Sequence, residues 1–377
     1  MKCPLLPALL TFALFAGCAT KPPTGASDVK VFYATTRKIV NGGTPGKDDL
    51  DKSFGNAEST MTKTGGINLR NVPRLGIATV SVPKHPDAKT IGSETDVHIV
   101  GYDPALSTKA KYEGMASNQF YDGVHNLENS KQPPVVYVHG FNNDFEDAAH
   151  RAAVFARDLQ PAVSTSAVIY SWPSAATVFG PIADYPGDEE SALLDQEAFR
   201  GFLGNLYGQI NAKKTTPVLL IGHSLGCRVI TYGLRDWWLF RAAARQIDYK
   251  RPMFANLVLI EPDVNEIYFC QNIDRLRALC GRITIYFNGR DEALDLSAYL
   301  HDRRKRLGQV AVEYLTHKQN VDMVDASALP SDFFHHSYDD AAFFADLRLL
   351  AQGIPAKDRV NKTLGKPNQI GAYTFSK

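Results

Sequence analysis

Several signatures are missing from this 377-residue chain, and each absence removes a class of function. There is no Walker loop, no dinucleotide-binding fingerprint and no Cys/His cluster at zinc-ligand spacing. Nucleotide hydrolysis on a P-loop, redox chemistry on a Rossmann motif and a structural zinc module therefore have no sequence support. An excess of charge of one sign is also missing. The chain has 41 Lys and Arg against 40 Asp and Glu, a formal net charge of +1. No bulk field draws it to nucleic acid or to an anionic membrane, and no nucleic-acid partner is expected. There is no internal repeat and no low-complexity tract. Cysteine is scarce, at five residues: Cys3, Cys18, Cys227, Cys270 and Cys280. What remains is an ordinary globular composition, 44% hydrophobic and 21% charged, enough for one large domain or two small ones.

One stretch organises the rest. Val218-Leu219-Leu220-Ile221 runs into Gly222-His223-Ser224-Leu225-Gly226, and an apolar helical pattern follows. This strand, turn and helix spell the G-x-S-x-G nucleophile elbow. The serine must sit on a sharp, strained turn, and the two glycines leave room where side chains would clash. The helix that starts beside Ser224 aims its N-terminal N–H groups at the site, where they can hold a developing oxyanion.

Residues 1–18 read as a secretory leader. Lys2 gives a positive start, and the apolar stretch Leu5–Ala16 is too short to span a bilayer. Ala16-Gly17-Cys18 resembles the lipobox of bacterial lipoproteins, with Cys18 the lipidated residue and Phe15 where Leu is usual. Residues 19–27 form a tether, and 28–377 one globular domain. Early strands are expected at Val29–Ala34, Gly76–Pro83 and Asp96–Tyr102, forming an antiparallel edge, with a loop excursion over 39–70. From Val135 short apolar strands alternate with helices, the rhythm of a mostly parallel sheet covered on both faces. Strands fall at Val135–Val138, Ala167–Tyr170, Asn256–Ile260, Ile283–Phe287 and Asn320–Val324. Helices fall at Glu146–Leu159, Asp188–Ile210 and Asp340–Leu350. The fold class is α/β.

Acyl transfer needs a base, an orienting acid and oxyanion donors beside the serine. His139-Gly140-Phe141 follows the first parallel strand and suits an oxyanion loop. The backbone N–H groups of Phe141 and Leu225 are the expected donors, and His139 is expected to brace the loop at the pocket rather than act as base. Asp291 follows the strand 283–287 after a glycine turn and is the favoured acid; Asp263, after the preceding strand, is the alternative. Asp295 is expected to start a helix. His335 and His336 both stand after the last strand, where the base belongs. Trp172 either lines the acyl pocket or packs structurally. Trp237-Trp238-Leu239-Phe240 reads as core or as a cap over the pocket. The run Asp302-Arg303-Arg304-Lys305-Arg306 reads as a solvated helix face or a contact for lipid phosphates. Cys227 is expected to pack as a small apolar residue. Cys270 and Cys280 are either bridged or free.

Several blocks then converge. Val31–Arg37, Val82-Pro83, His139–Asn142, Ser171-Trp172-Pro173-Ser174, Gly222–Gly226, Pro262-Asp263, Asp291–Leu294 and His336-Ser337-Tyr338 together resemble a bacterial alpha/beta-hydrolase family catalogued as domain of unknown function 900. The resemblance spans about residues 29–345. Cys227 departs from the small or polar residue more usual after the elbow. The resemblance implies a Ser224–Asp291–His336 triad, which selects His336 over His335, and an esterase-like serine hydrolase that requires no metal or organic cofactor. The expected partners are a small-molecule or lipid ester and the membrane, reached through the lipidated N-terminus. The expected location is the bacterial cell envelope. Lipase, phospholipase, thioesterase, amidase and peptidase chemistry are rivals within this class. A hydrolase-fold lipoprotein that binds envelope components without turnover is the rival outside it.

Overall fold

The computed structural model describes residues 26–39, 54–58, 73–83, 97–100, 119–124, 132–175, 181–213, 218–247, 252–330 and 340–376. The leader with Cys3 and Cys18, and the segment with His335 and His336, lie outside the described residues.

The chain opens with β1 (Ala26–Thr35), β2 (Arg37–Ile39), β3 (Phe54–Glu58), β4 (Arg74–Pro83) and β5 (Val97–Val100). A short helix α1 (119–124) follows. Then come β6 (Val135–Val138), α2 (Phe145–Asp158), β7 (Ala167–Ser171), α3 (Pro181–Leu194), α4 (Gln196–Lys213), β8 (Val218–His223), α5 (Gly226–Ala243) and β9 (Phe254–Ile260). The chain continues with α6 (Glu266–Arg277), β10 (Cys280–Phe287), α7 (Glu292–Leu300), α8 (Glu313–Thr316), β11 (Val321–Asp325), α9 (Ala341–Ala351), α10 (Ala356–Arg359) and β12 (Tyr373–Thr374).

The central sheet has ten strands in the order β12-β11-β10-β9-β8-β6-β7-β1-β4-β5. All neighbours from β12 to β1 are parallel, and β4 and β5 close the edge antiparallel. The parallel strands are apolar along their length because both faces are covered. Alternate residues enter different cores, as the twofold pleat requires. Val136, Val138 and Leu220 face one core with Phe199, Leu203 and Trp237 of α4 and α5. Val135, Tyr137 and Leu219 face the other with Phe155 of α2 and Phe343 of α9.

The early strands β1, β4 and β5 pair antiparallel at one edge, as expected, and β1 joins that edge to the parallel core through β7. Other expectations change. The excursion over 39–70 contains β3, which pairs antiparallel with β2. The single helix expected over Asp188–Ile210 is two helices that meet at Asp195. That carboxylate is buried and accepts a hydrogen bond from Tyr170 Oη on β7, which fixes the chain at the junction. β1 also begins at Ala26, so the last two residues assigned to the tether are already paired, with Pro83 and Val82.

Because the strands run parallel, their carboxyl ends share one edge. Ligands of open α/β sheets bind outside that edge. The ends of β1, β6, β7, β8, β9 and β10 carry nearly every residue singled out for chemistry.

Candidate active site

The elbow forms as its spacing requires. β8 ends at His223, α5 begins at Gly226, and Ser224 between them has φ of 49°. This left-handed conformation is costly for a side chain with a Cβ and survives only where neighbours over-determine it. They do so here. Ser224 N–H donates to Ile260 O at 3.0 Å, and Ser224 O accepts from Asp263 N at 3.1 Å and Cys227 N at 3.0 Å. Two more non-glycine residues with positive φ stand on neighbouring strand ends, Asn142 at 56° and Glu261 at 44°. Backbone strain therefore gathers around the serine, as it does at functional sites.

The glycines are explained by what a side chain would meet. A Cβ on Gly222 would lie 2.6 Å from Ile230 Cδ1 and 3.2 Å from Cys227 Sγ. A Cβ on Gly140 would lie 3.0 Å from Ser224 Cβ and 2.8 Å from His223 Nδ1. The His139–Asn143 loop is thus pressed against Ser224. Among the described residues, the backbone N–H groups of Phe141 and Leu225 donate no hydrogen bond, as oxyanion donors awaiting a ligand require.

Asp291 ends the β10 turn, is 3% exposed, and caps α7 by accepting Leu294 N–H at 2.8 Å. It, and not Asp295, is the residue that starts the helix; Asp295 lies in the first turn. Glu261 steadies this turn by accepting from Asn288 Nδ2 at 3.2 Å.

A model of the family described as alpha/beta hydrolase of unknown function (DUF900) matches residues 118–348. The chain belongs to this family. No curated protein matches it. The matched segment takes in the elbow, the His-Gly loop and both acid candidates; the blocks at 31–37 and 82–83 precede it.

Within this alpha/beta-hydrolase fold the alternative acid, Asp263, sits in an ion-paired cluster. Asp263 is buried and its carboxylate accepts from Tyr185 Oη and from Ser297 Oγ at 2.8 Å, and it forms ion pairs with Arg306 Nε at 3.2 Å and Arg228 Nη2 at 3.5 Å. Burial alone would raise its pKa, but Arg228 and Arg306 outweigh that and hold it below the ordinary carboxylate range. Arg228 also pairs with Glu189 of α3, whose carboxylate meets His301 Nε2 at 2.6 Å. These contacts tie α3, α5 and α7 together beside the elbow. Tyr185 adds an edge-on contact with the Phe141 ring, centroids 5.5 Å apart, so α3 leans on the His139–Asn143 loop.

His139 and Trp172 do not line a pocket. Both are 0% exposed, their rings stack with centroids 5.1 Å apart, and Trp172 Nε1 donates to His139 O at 2.8 Å. They support the loop from behind. Burial and the neighbouring Arg37 cation push the His139 pKa down to about 3, so the ring is neutral. A histidine ordinarily near 6.5 contributes its stabilisation fully above that pH, and loses it as pH falls toward the folded value. Unfolding free energy should therefore drop by about 2 kcal/mol between pH 7 and pH 5 through His139 alone. Urea unfolding of wild type and His139→Gln at both pH values checks this; equal pH dependence in the two proteins would refute it.

Other assignments are also decided. Cys270 and Cys280 are free thiols. Cys280 is buried at the start of β10 and Cys270 is half-buried on α6, each packed separately into the apolar layer, where burial raises both thiol pKa values. Cys227 is fully buried in the core, as expected. Trp237 is core, while Leu239 and Phe240 are 45% and 59% exposed. Residues 302–305 form an exposed turn rather than a helix face, with Asp302 and Arg303 at positive φ, because Arg306 is drawn inward to Asp263. Arg37 carried no expected role, and its place is the least anticipated feature of this edge. A signal was present: an arginine closing an apolar strand, directly after two threonines.

Proposed function

We propose that the protein is a serine hydrolase that cleaves carboxylic esters through an acyl-enzyme. The observation that carries this reading is Ser224, held at φ of 49° on the strand-to-helix elbow with Gly140 packed against it. In the proposed cycle His336 takes the Ser224 Oγ proton as Oγ attacks the acyl carbon. The N–H groups of Phe141 and Leu225 hold the oxyanion. His336 then gives the proton to the departing alcohol. It next deprotonates a water that attacks the acyl-enzyme, and the carboxylic acid leaves as Ser224 recovers its proton. Asp291 orients His336 and stabilises its charged form. Each oxyanion donor is worth about 3 kcal/mol in the transition state. Membership of an alpha/beta-hydrolase family supports the reaction class. We further propose export to the cell envelope, with Cys18 lipidated and the substrate a small-molecule or lipid ester.

The test is labelling with a fluorophosphonate probe, comparing wild type with Ser224→Ala and His336→Ala, followed by an ester panel of graded acyl length. Labelling of wild type that disappears in both variants is the expected result. A folded wild type that stays unlabelled and turns over no ester would end the esterase reading in favour of a binding role.

A further inference from the structure

We propose that Arg37 is a positioning residue for the oxyanion hole: its buried guanidinium fixes the peptide that presents the Phe141 N–H to Ser224. The proposal rests on the hydrolytic reading above.

Arg37 stands just past the end of β1 and is 0% exposed. Its fork ties three strand ends together. Nε donates to Ser171 Oγ at 2.9 Å and Nη1 to Ser174 O at 3.2 Å, both beyond β7 or at its end. Nη2 donates to Asn143 O at 2.7 Å in the oxyanion loop and lies 3.4 Å from His139 Nε2. The guanidinium thus explains three sequence blocks at once: Thr-Thr-Arg, His-Gly-Phe-Asn and Ser-Trp-Pro-Ser.

Two routes lead from Arg37 to the donor. In the first, Asn143, whose carbonyl Arg37 holds, donates its own Nδ2 to Phe141 O at 2.7 Å. In the second, Arg37 Nη2 and Ser171 Oγ both offer hydrogens to His139 Nε2, at 3.4 and 3.3 Å. Ser171 Oγ is free to do so because its lone pair takes the Arg37 Nε–H. Nε2 also lies 3.1 Å from Trp172 O, and the neutral ring has one proton for two carbonyls; the two hydrogens that Arg37 and Ser171 direct at Nε2 favour its placement on Nδ1, which then donates to Gly140 O at 2.9 Å. Gly140 C=O and Phe141 N–H are the two ends of one trans peptide and point opposite ways. Pinning the carbonyl therefore aims the N–H. A lysine would keep the charge but not the fork, so it cannot hold Ser171, Ser174 and Asn143 together.

The experiment uses the full chain and compares wild type with Arg37→Lys on an ester and on its thionoester, in which sulfur replaces the carbonyl oxygen. Sulfur accepts hydrogen bonds poorly, so the ester-to-thionoester ratio of kcat reports the oxyanion hole and not general integrity. Arg37→Lys is expected to lower kcat on the ester roughly 100-fold with KM within about twofold, and to shrink the ratio roughly tenfold, since an ångström of misplacement has that order of cost. Should Arg37→Lys fail to fold by circular dichroism, Ser171→Ala replaces it, with roughly a tenfold fall in kcat and the same collapse of the ratio expected. A folded variant with wild-type kcat, or one with lower kcat and an unchanged ratio, overturns the proposal. Wild-type turnover in the same assay separates the two failures. An inactive wild type overturns the hydrolytic reading and this inference with it, whereas an active wild type with an unaffected variant overturns Arg37 alone.

Discussion

Asp291→Asn is expected to lower kcat about 10⁴-fold while the protein stays folded, and Asp263→Asn is expected to do the reverse. The two carboxylates occupy equivalent positions in the sequence, each just past a strand of the sheet. Their surroundings separate them. Asp291 caps α7 through one oxygen to Leu294 N–H. Asparagine caps a helix as well as aspartate does, so the exchange removes the charge and spares the cap. Without that charge the imidazole of the base loses its orientation and the stabilisation of its cationic form. Asp263, in contrast, lies between Arg228 and Arg306, both nearly fully buried. Removing its charge leaves two buried cations without this counter-charge, a change that typically costs about 3–5 kcal/mol. Denaturant midpoints and kcat measured on the two variants decide the matter. If Asp263→Asn were stable and inactive while Asp291→Asn kept its activity, the acid would be Asp263 and the triad proposed above would be wrong.

The same contrast shows what could be read from residues alone. The elbow was legible because its chemistry is local: one serine, two glycines and a strand beside a helix. The parallel core was legible because strands buried on both faces must be apolar throughout, as Val135–Val138 and Val218–Ile221 are. Position favoured Asp291 over Asp263, but the physical contrast between the two acids is remote, since it lies with Arg228 and Arg306. Arg37 was marked only by its place after Thr35 and Thr36, and its partners were not legible. Its partners stand 106 residues away at Asn143, 134 at Ser171 and 137 at Ser174, and only the order of strands brings β1 beside β7. The break at Asp195 has the same origin, a tyrosine 25 residues earlier in the chain. Nearness in sequence left Cys270 and Cys280 open between a bridge and free thiols; they sit on a helix and on the next strand, as free thiols. Chemistry built from adjacent residues is visible in a sequence, whereas the supports that hold it are set by topology.

Those supports make Gly226→Ala the second large effect expected. Gly226 opens α5 directly after the elbow, and alanine is ordinarily the better helix residue by about 1 kcal/mol. Here a Cβ would strike His139 O and stand 2.6 Å from Val138 O and 2.9 Å from His139 C. All three are backbone atoms at the end of β6 and cannot turn aside as a side-chain tip would. The oxyanion loop and the elbow must therefore separate by about an ångström, which pulls the Phe141 donor away from the Leu225 donor. Displacement on that scale typically costs about 100-fold in rate, and overpacking at such a contact about 1–3 kcal/mol in stability. Gly201 on α4 supplies the control. A Cβ there meets nothing within 4 Å, so Gly201→Ala should raise stability by about 0.5–1 kcal/mol and leave kcat unchanged. The same exchange in two helices should thus have opposite signs, read by thermal melting and by ester turnover. A Gly226→Ala protein with wild-type kcat would mean that the contact between β6 and the elbow does not set the oxyanion hole, and the bracing assigned to His139 and Arg37 would lose its purpose.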